Sequence, residues 1–299
     1  MDWSHFEIAR RPFWPVVDTA SYFPSATHEA ALAGINGAFD RRDPVVLLDG
    51  PAGTGKSLIA RRWLERLPEP IAPLLLPNLQ SPRPADLLQA ILFDLNLPYR
   101  GLGEQELRLA VTEFLLAKTA AKTTTVIVVD EAQNLGPAAF EELRLLGNIE
   151  SHGGSALFLL LVAQPRIQET LKHPDCSAFA QRIGSRCHLE PLTAEESAAY
   201  LRHQLKIAGR EADEVIDADA IGILAGACQG IARLLNRTTT CAAELAAETG
   251  AESIDVEAAL EAIGRFGLEC PESTEETLVL KHPDKVKKPK AKIVGKRSA

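Results

Sequence analysis

The chain has 299 residues, 46% hydrophobic and 24% charged, with a net charge of −8. That length suffices for one large domain and one small one, each with its own core. The acidic balance excludes a protein that coats nucleic acid over its whole surface.

Residues 1–28 are rich in proline and aromatics, among them Phe13, Trp14, Tyr22 and Phe23, and read as an irregular arm packed on the first domain. The pattern then predicts a helix over 28–39, a strand over 45–48, a glycine-rich turn and a helix over 57–67. A second strand is expected over 71–76, and two helical stripes follow, Leu87 to Leu95 and Leu107 to Leu115. The β-branched run 126–129 is a buried strand. A helix over 137–149 opens on Pro137, a favoured first-turn residue. Residues 157–162 are the next strand, Pro165 starts a helix, and 187–189 is expected as a short last strand. Strands alternating with helices give an α/β fold, a parallel sheet covered on both faces.

After Pro191 the strand signal ends. Helices are expected over 194–208, 219–228, 232–249 and 255–266, punctuated by Gly209, Gly230 and Gly250. The predicted organisation is an αβα core with the arm over 1–191, a small helical lid over 192–266 and a disordered basic tail over 267–299. Residues 281–299 alone carry +7, which leaves −15 for residues 1–280. Such a tail is either a solvated end or an interaction arm. The five cysteines form no C-x-x-C pair, the usage of a reduced chain without a zinc site. The longest strongly apolar run, 156–163, falls short of the ~20 residues that span a bilayer.

The residues Gly50-Pro51-Ala52-Gly53-Thr54-Gly55-Lys56-Ser57 match G-x-x-x-x-G-K-[ST]. Glycines at these positions let backbone N–H groups converge on phosphate oxygens, and the following helix points its positive end at the same anion. Lys56 is expected to reach the β- and γ-phosphates of ATP, and the Ser57 hydroxyl to ligate Mg²⁺. About seventy residues on, a buried strand ends in Asp130 and Glu131. Asp130 is the candidate Mg²⁺ ligand and Glu131 the candidate base for the attacking water. Read alone, the pair is equally an ordinary strand followed by a helix cap. Gln164 follows the next strand, where a parallel sheet gathers ligands, and is either a γ-phosphate contact or a turn residue. Arg182 and Arg186 precede the expected last strand and are candidates to reach a neighbouring subunit's γ-phosphate. Without the phosphate loop they would read as two surface arginines four apart on a helix. Arg233, in the helical lid, is placed either to reach the nucleotide or at a solvated helix start.

With these segments in hand the chain resembles the AAA+ ATPases of the general secretion pathway protein A type, which include the pilus-biogenesis ATPases called MSHA biogenesis protein M. The likeness runs from about Phe6 to Gly264 and is carried by PFWP, GPAGTGKS, VIVVDEAQNL with EELRLLGNIES, LVAQP, QRIGSRCHLEPLTAEESAAYLRHQL and GIARLLNR. The resemblance implies a P-loop core and lid, with Gln164 as sensor 1, Arg233 as sensor 2 and Arg182 or Arg186 as a trans-acting finger, hence a homo-oligomer. It implies a cytoplasmic protein, or one peripheral to the inner membrane. Two departures stand out. Ala232 takes the place of the family's usual proline before the sensor-2 arginine, and the chain has no membrane span or peptidoglycan-binding domain. Three functions follow. One is an ATPase that remodels or assembles a secretion or pilus machine. The second is a DNA-associated ATPase of the transposition-targeting or origin-recognition kind, and the third is a nucleotide-switched interaction module.

Overall fold

The computed structural model describes residues 3–77, 83–151 and 154–270. In chain order the elements of its first part are α1 (Ala26–Asp40), β1 (Val45–Asp49), α2 (Lys56–Leu64), β2 (Ala72–Leu76), α3 (Pro84–Asp94), α4 (Glu104–Ala120), β3 (Thr125–Val129) and α5 (Pro137–Leu146). The two-residue strands β4 (Glu150–Ser151) and β5 (Gly154–Ser155) form a small antiparallel pair, followed by β6 (Leu157–Ala163), α6 (Ile167–Leu171), α7 (Ser177–Ala180) and β7 (Ile183–His188). Four helices end the described chain: α8 (Ala194–Ile207), α9 (Ala218–Ala227), α10 (Ala232–Thr249) and α11 (Val256–Arg265). The tail from residue 271, expected to be disordered, lies outside the described residues.

The sheet is parallel in the order β2-β3-β6-β1-β7. Its three central strands are buried at every residue, so both faces are apolar and the strands read as unbroken hydrophobic runs. Side chains alternate between faces with period two. Leu47, Ile127, Val129, Leu159 and Leu161 pack with α3, α4 and α5. Val46, Leu48, Val126, Val128, Leu160 and Val162 pack with Leu32 and Ile35 of α1 and with Ile59 and Trp63 of α2. Trp63 fills that side, stacking against Phe158 at 5.4 Å while its indole N–H donates to Asn36 at 2.8 Å. β2 lies at one edge, where Pro73 costs no inner ladder bond.

Three expectations need correction. The last strand runs from Ile183, not from residue 187, so Arg186 lies within it rather than ahead of it. Gly184, Ser185 and Arg186 have little strand propensity, and pairing with β1 along this edge overrides it. The arm does not pack on the first domain along its whole length. Trp3, Phe6, Ile8 and Phe13 are buried with the four last helices, and Tyr22 is the arm residue buried with the sheet. The cause is volume. Those helices bury many small residues among their Leu and Ile, including Ala220, Ala242, Ala243, Ala246, Ala259 and Ala262, and aromatics from the arm add bulk to their cluster. The helix expected to reach residue 149 also stops at Leu146, on Gly147 as its C-cap, and β4 follows.

Phe13 is 2% exposed and stacks on Trp3 at 5.6 Å. Phe13→Ala is therefore expected to cost about 3–5 kcal/mol of stability, read from denaturant unfolding. A loss below about 1 kcal/mol would mean that the arm is not part of the helical core.

Candidate nucleotide site

β1 delivers the chain to the phosphate loop at Asp49. The loop is bent by backbone that only glycine tolerates, and each glycine sits against a neighbour. A Cβ on Gly50 would lie 2.4 Å from the Leu189 carbonyl. Gly53 has φ +84° and Gly55 has φ +104°, conformations costly for other residues. A Cβ on Gly53 would meet the Arg233 Cβ at 2.9 Å, and one on Gly55 would meet His28 Nε2 at 2.8 Å. The helix α2 begins at Lys56 with no side-chain cap on its first turn. Its free N–H groups are the kind of donors that bind an anion at a helix start.

The loop is tied from three directions. Thr54 Oγ1 donates to the Pro51 carbonyl at 3.0 Å, and Lys56 Nζ donates to the same carbonyl at 2.6 Å. From the lid, the Arg233 backbone N–H donates to the Gly53 carbonyl at 3.1 Å. From α1, His28 Nε2 donates to the Thr54 carbonyl at 3.0 Å, and Nδ1 takes the Ser25 hydroxyl. The Thr54 carbonyl can only accept, so the ring carries a proton on Nε2. Burial pushes His28 below its ordinary pKa, opposed by its bond to Thr54 and by Glu196 and Glu29. Burial likewise pushes the Lys56 ammonium down, while Glu131, Asp130 and Asp49 hold it up and Arg233 adds to the lowering.

The acids arrive on β3. Val129 stands opposite Leu161 and Asp49 opposite Ala163, so Gly50, Asp130 and Gln164 leave the three inner strands at the same, carboxyl end of the sheet. Asp130 Oδ1 accepts the Glu131 backbone N–H at 2.9 Å. Glu131 itself is left-handed, φ 53° and ψ 36°, rare for a residue with a side chain. Its Oε2 accepts the Gln164 amide at 3.1 Å and the Gln133 amide as well. A cavity of about 460 Å³ runs from Gly53, Lys56, Ser57 and Glu131 to Arg233 and on between the arm and the lid, within the usual range of small-molecule sites.

The AAA domain family matches residues 40–171. The chain is also 36% identical over 234 residues to general secretion pathway protein A of Aeromonas hydrophila, across 77% of this chain and 42% of that protein. The chain belongs to the AAA+ ATPases of the general secretion pathway protein A type. It spans less than half the length of that relative. Among solved structures the AAA+ chain is similar to the ORC2 protein of Aeropyrum pernix in its ADPNP–ADP complexes, with TM-score 0.63 and 17% identity over 92% of this chain and 74% of that one. The Aeropyrum pernix ORC1 protein in complex with DNA gives TM-score 0.64 and 20% identity over 86% and 69%. At such identities these structures speak for the fold alone.

The AAA+ core thus brings Gly50 to Ser57, Asp130, Glu131, Gln164 and Arg233 to one end of the sheet. Arg182 and Arg186 stand apart, by the edge strand. Arg182 donates to Asn148, just past the C-cap of α5, and Arg186 Nη1 donates to Gln168 at 2.9 Å. Gln168 in turn donates to Asp49 at 3.0 Å, and His188 Nδ1 donates to the same carboxylate at 2.7 Å. Arg186 is thereby linked to the residue that opens the phosphate loop. Sequence reasoning missed Gln133, this chain of contacts, and the arm residues Trp14, Val16 and Val17 that line the cavity. The aromatics and prolines of the arm were the one signal for the last of these.

No group of three or more metal-ligating His, Cys, Asp or Glu side chains occurs among the described residues. Mg²⁺ does not require one, because it is held by one or two protein oxygens together with phosphates and waters. A carboxylate at Asp130 and a hydroxyl at Ser57 fit that donor set, and the glycine-lined loop with a buried Lys56 fits a polyphosphate.

A neutral buried His28 makes stability depend on pH. Its folded pKa lies below the unfolded value of about 6.5, so its contribution is complete above that value and is lost as pH falls toward the folded pKa. His28→Gln retains an N–H donor and does not titrate. Below pH 6.5 wild type is expected to lose stability faster than the variant, by up to about 1.4 kcal/mol per pH unit, read from unfolding curves at several pH values. Parallel pH profiles would assign His28 no such role.

Proposed function

We propose that this chain hydrolyses ATP with Mg²⁺ and couples the reaction to remodelling or assembling a partner complex. The observation that carries the reading is the meeting of a buried Lys56 with Asp130 and Glu131 at the open end of the phosphate loop. In this reading the loop N–H groups and Lys56 hold the phosphates, and Asp130 and Ser57 hold the metal. Bound Mg²⁺ would neutralise charge on the phosphate oxygens. Glu131 orients the attacking water and takes its proton. Gln164 reaches the γ-phosphate end of the site, and Arg233 reports from the lid, whose backbone is already bonded to Gly53. Trp14, Val16 and Val17 offer the apolar wall for the base. The αβα core over 1–191 and the lid over 192–266 then act as two bodies joined at the loop, with arm residues carried by the lid.

The likeness to a secretion-pathway protein supports a partner in a secretion or pilus machine, and the arginines on the edge strand support a homo-oligomer with a shared site. An intact Lys56, Ser57, Asp130 and Glu131 speak against a mere binding module. A rate that rises with DNA would favour the DNA-associated reading instead.

Lys56→Ala is expected to abolish nucleotide binding or nearly so, in a titration with a fluorescent ATP analogue. Glu131→Gln should keep binding and lose about 10²–10⁴ in rate, the range typical of a general base. A Glu131→Gln protein that hydrolysed ATP at the wild-type rate would remove Glu131 from the chemistry.

Sharing of the site is tested by mixing. Arg182→Ala or Arg186→Ala, whichever supplies the finger, should lose about 10³ or more in rate and partly recover when mixed with Glu131→Gln. Folded variants that never complement each other at any ratio would argue for sites complete within one chain.

A further inference from the structure

Gln133 has no role in the reading above, yet it is the best-fixed polar side chain around Glu131. It sits on the 3-10 turn Ala132–Asn134, between the buried Ala132 and Leu135, and is itself 7% exposed. Its two amide ends have different partners. The Gln164 backbone N–H donates to Gln133 Oε1 at 2.8 Å. A main-chain N–H has no other role than donor, so this bond settles which end is oxygen and turns Nε2 toward Glu131, where it donates to Oε2. The Gln164 side chain donates to that same Oε2 at 3.1 Å. Two amides thus hold one carboxylate oxygen, and neither bond falls on Oε1.

We propose that Gln133 is a positioning residue for the hydrolytic carboxylate, one that fixes Glu131 through Oε2, leaves Oε1 to meet the water, and ties that geometry to the backbone at Gln164. Three features support it. First, Glu131 lies in a left-handed conformation that nothing in its own side chain favours, so its aim depends on outside contacts. Second, Gln133 is braced at its far end by the backbone N–H of Gln164, the residue that follows β6, and the Gln164 side chain is the other donor, so one residue sets both contacts to Glu131. Third, glutamine is the residue the geometry needs, since the site calls for an acceptor and a donor on one planar group of that reach. A misplaced base costs rate and not affinity, because the carboxylate acts in the chemical step.

The inference rests on the ATPase reading, and the test separates the two. Gln133→Met preserves the length and removes both bonds. Gln133→Glu keeps the acceptor for the Gln164 N–H and, as a carboxylate, loses the donor to Glu131. Both are measured for affinity by fluorescent nucleotide titration and for rate by single-turnover ATP hydrolysis with Mg²⁺, in the wild-type and Glu131→Gln backgrounds. The expected result is a loss of about 10–10²-fold in rate with affinity changed less than about threefold, and no further loss once Glu131 is Gln, because the two residues act as a unit. Equal losses in both backgrounds, a wild-type rate in either variant, or a defect wholly in affinity would overturn the assignment. If Gln133→Met fails to fold, Gln133→Glu decides alone. A wild-type protein that binds ATP and never hydrolyses it would overturn the ATPase reading and this one with it, whereas an active wild type with active Gln133 variants overturns this one only.

Discussion

The register of three parallel strands governs where each group of the nucleotide site stands, because Asp49 faces Ala163 across one pair and Val129 faces Leu161 across the next. The residues that follow each strand leave the sheet at the same end, within two positions of one another, and the loop, the acids and Gln164 meet without a dedicated scaffold. Burial protects that register. β1, β3 and β6 are apolar on both faces, and a slip of one residue would exchange the side chains of the two faces. Phe158, Trp63 and Phe39 on one side and the leucines of α3 and α4 on the other would no longer fit. The chemistry at one end of the sheet is thus held by packing along its whole length.

The lid is the second constraint. Gly230 has φ +73°, and a Cβ there would lie 2.0 Å from the Leu192 carbonyl, so the entries to α8 and α10 touch backbone to backbone. Glu196 accepts from Thr193 N at its own helix start and from Ala26 N at the start of α1. One carboxylate therefore serves two helix N-termini, those of α1 and α8, where a negative charge is favoured. Together with the Arg233 to Gly53 bond, these contacts make the lid a wall of the phosphate loop. The aromatics of the arm deepen that dependence, since Phe13 belongs to the lid cluster and also lines the cavity.

A polar network runs around the loop on the opposite side. Asp49 accepts from His188 and Gln168, and Gln168 accepts from Arg186. These bonds join the outer edge of the sheet to the base of the loop through side chains on α6 and β7. Glu131, after the inner strand β3, is held by two amides of its own, those of Gln133 and Gln164. The site is therefore framed by hydrogen-bonded carboxylates whose donors are mostly amides, groups that orient an anion without adding a formal charge.

The amino-acid sequence by itself determined the phosphate loop, the acids at the end of a β-branched strand, the alternation of strands and helices, and the place where the helical part begins. Those features are local, written in glycine spacing, hydrophobic period and helix caps within a few residues. Only the tertiary structure decided the length of β7, the attachment of the arm to the lid and the company kept by Glu131. Gly184 and Ser185 become strand because β1 is beside them. Trp3 and Phe13 look alike to either domain until the alanine-rich lid leaves room for them. Gln133 is two residues from Glu131 in the chain, but its bond to the Gln164 backbone crosses thirty-one positions. The period of a single segment does not report which distant segment completes its hydrogen bonds, and that is where the sequence stopped and the fold took over.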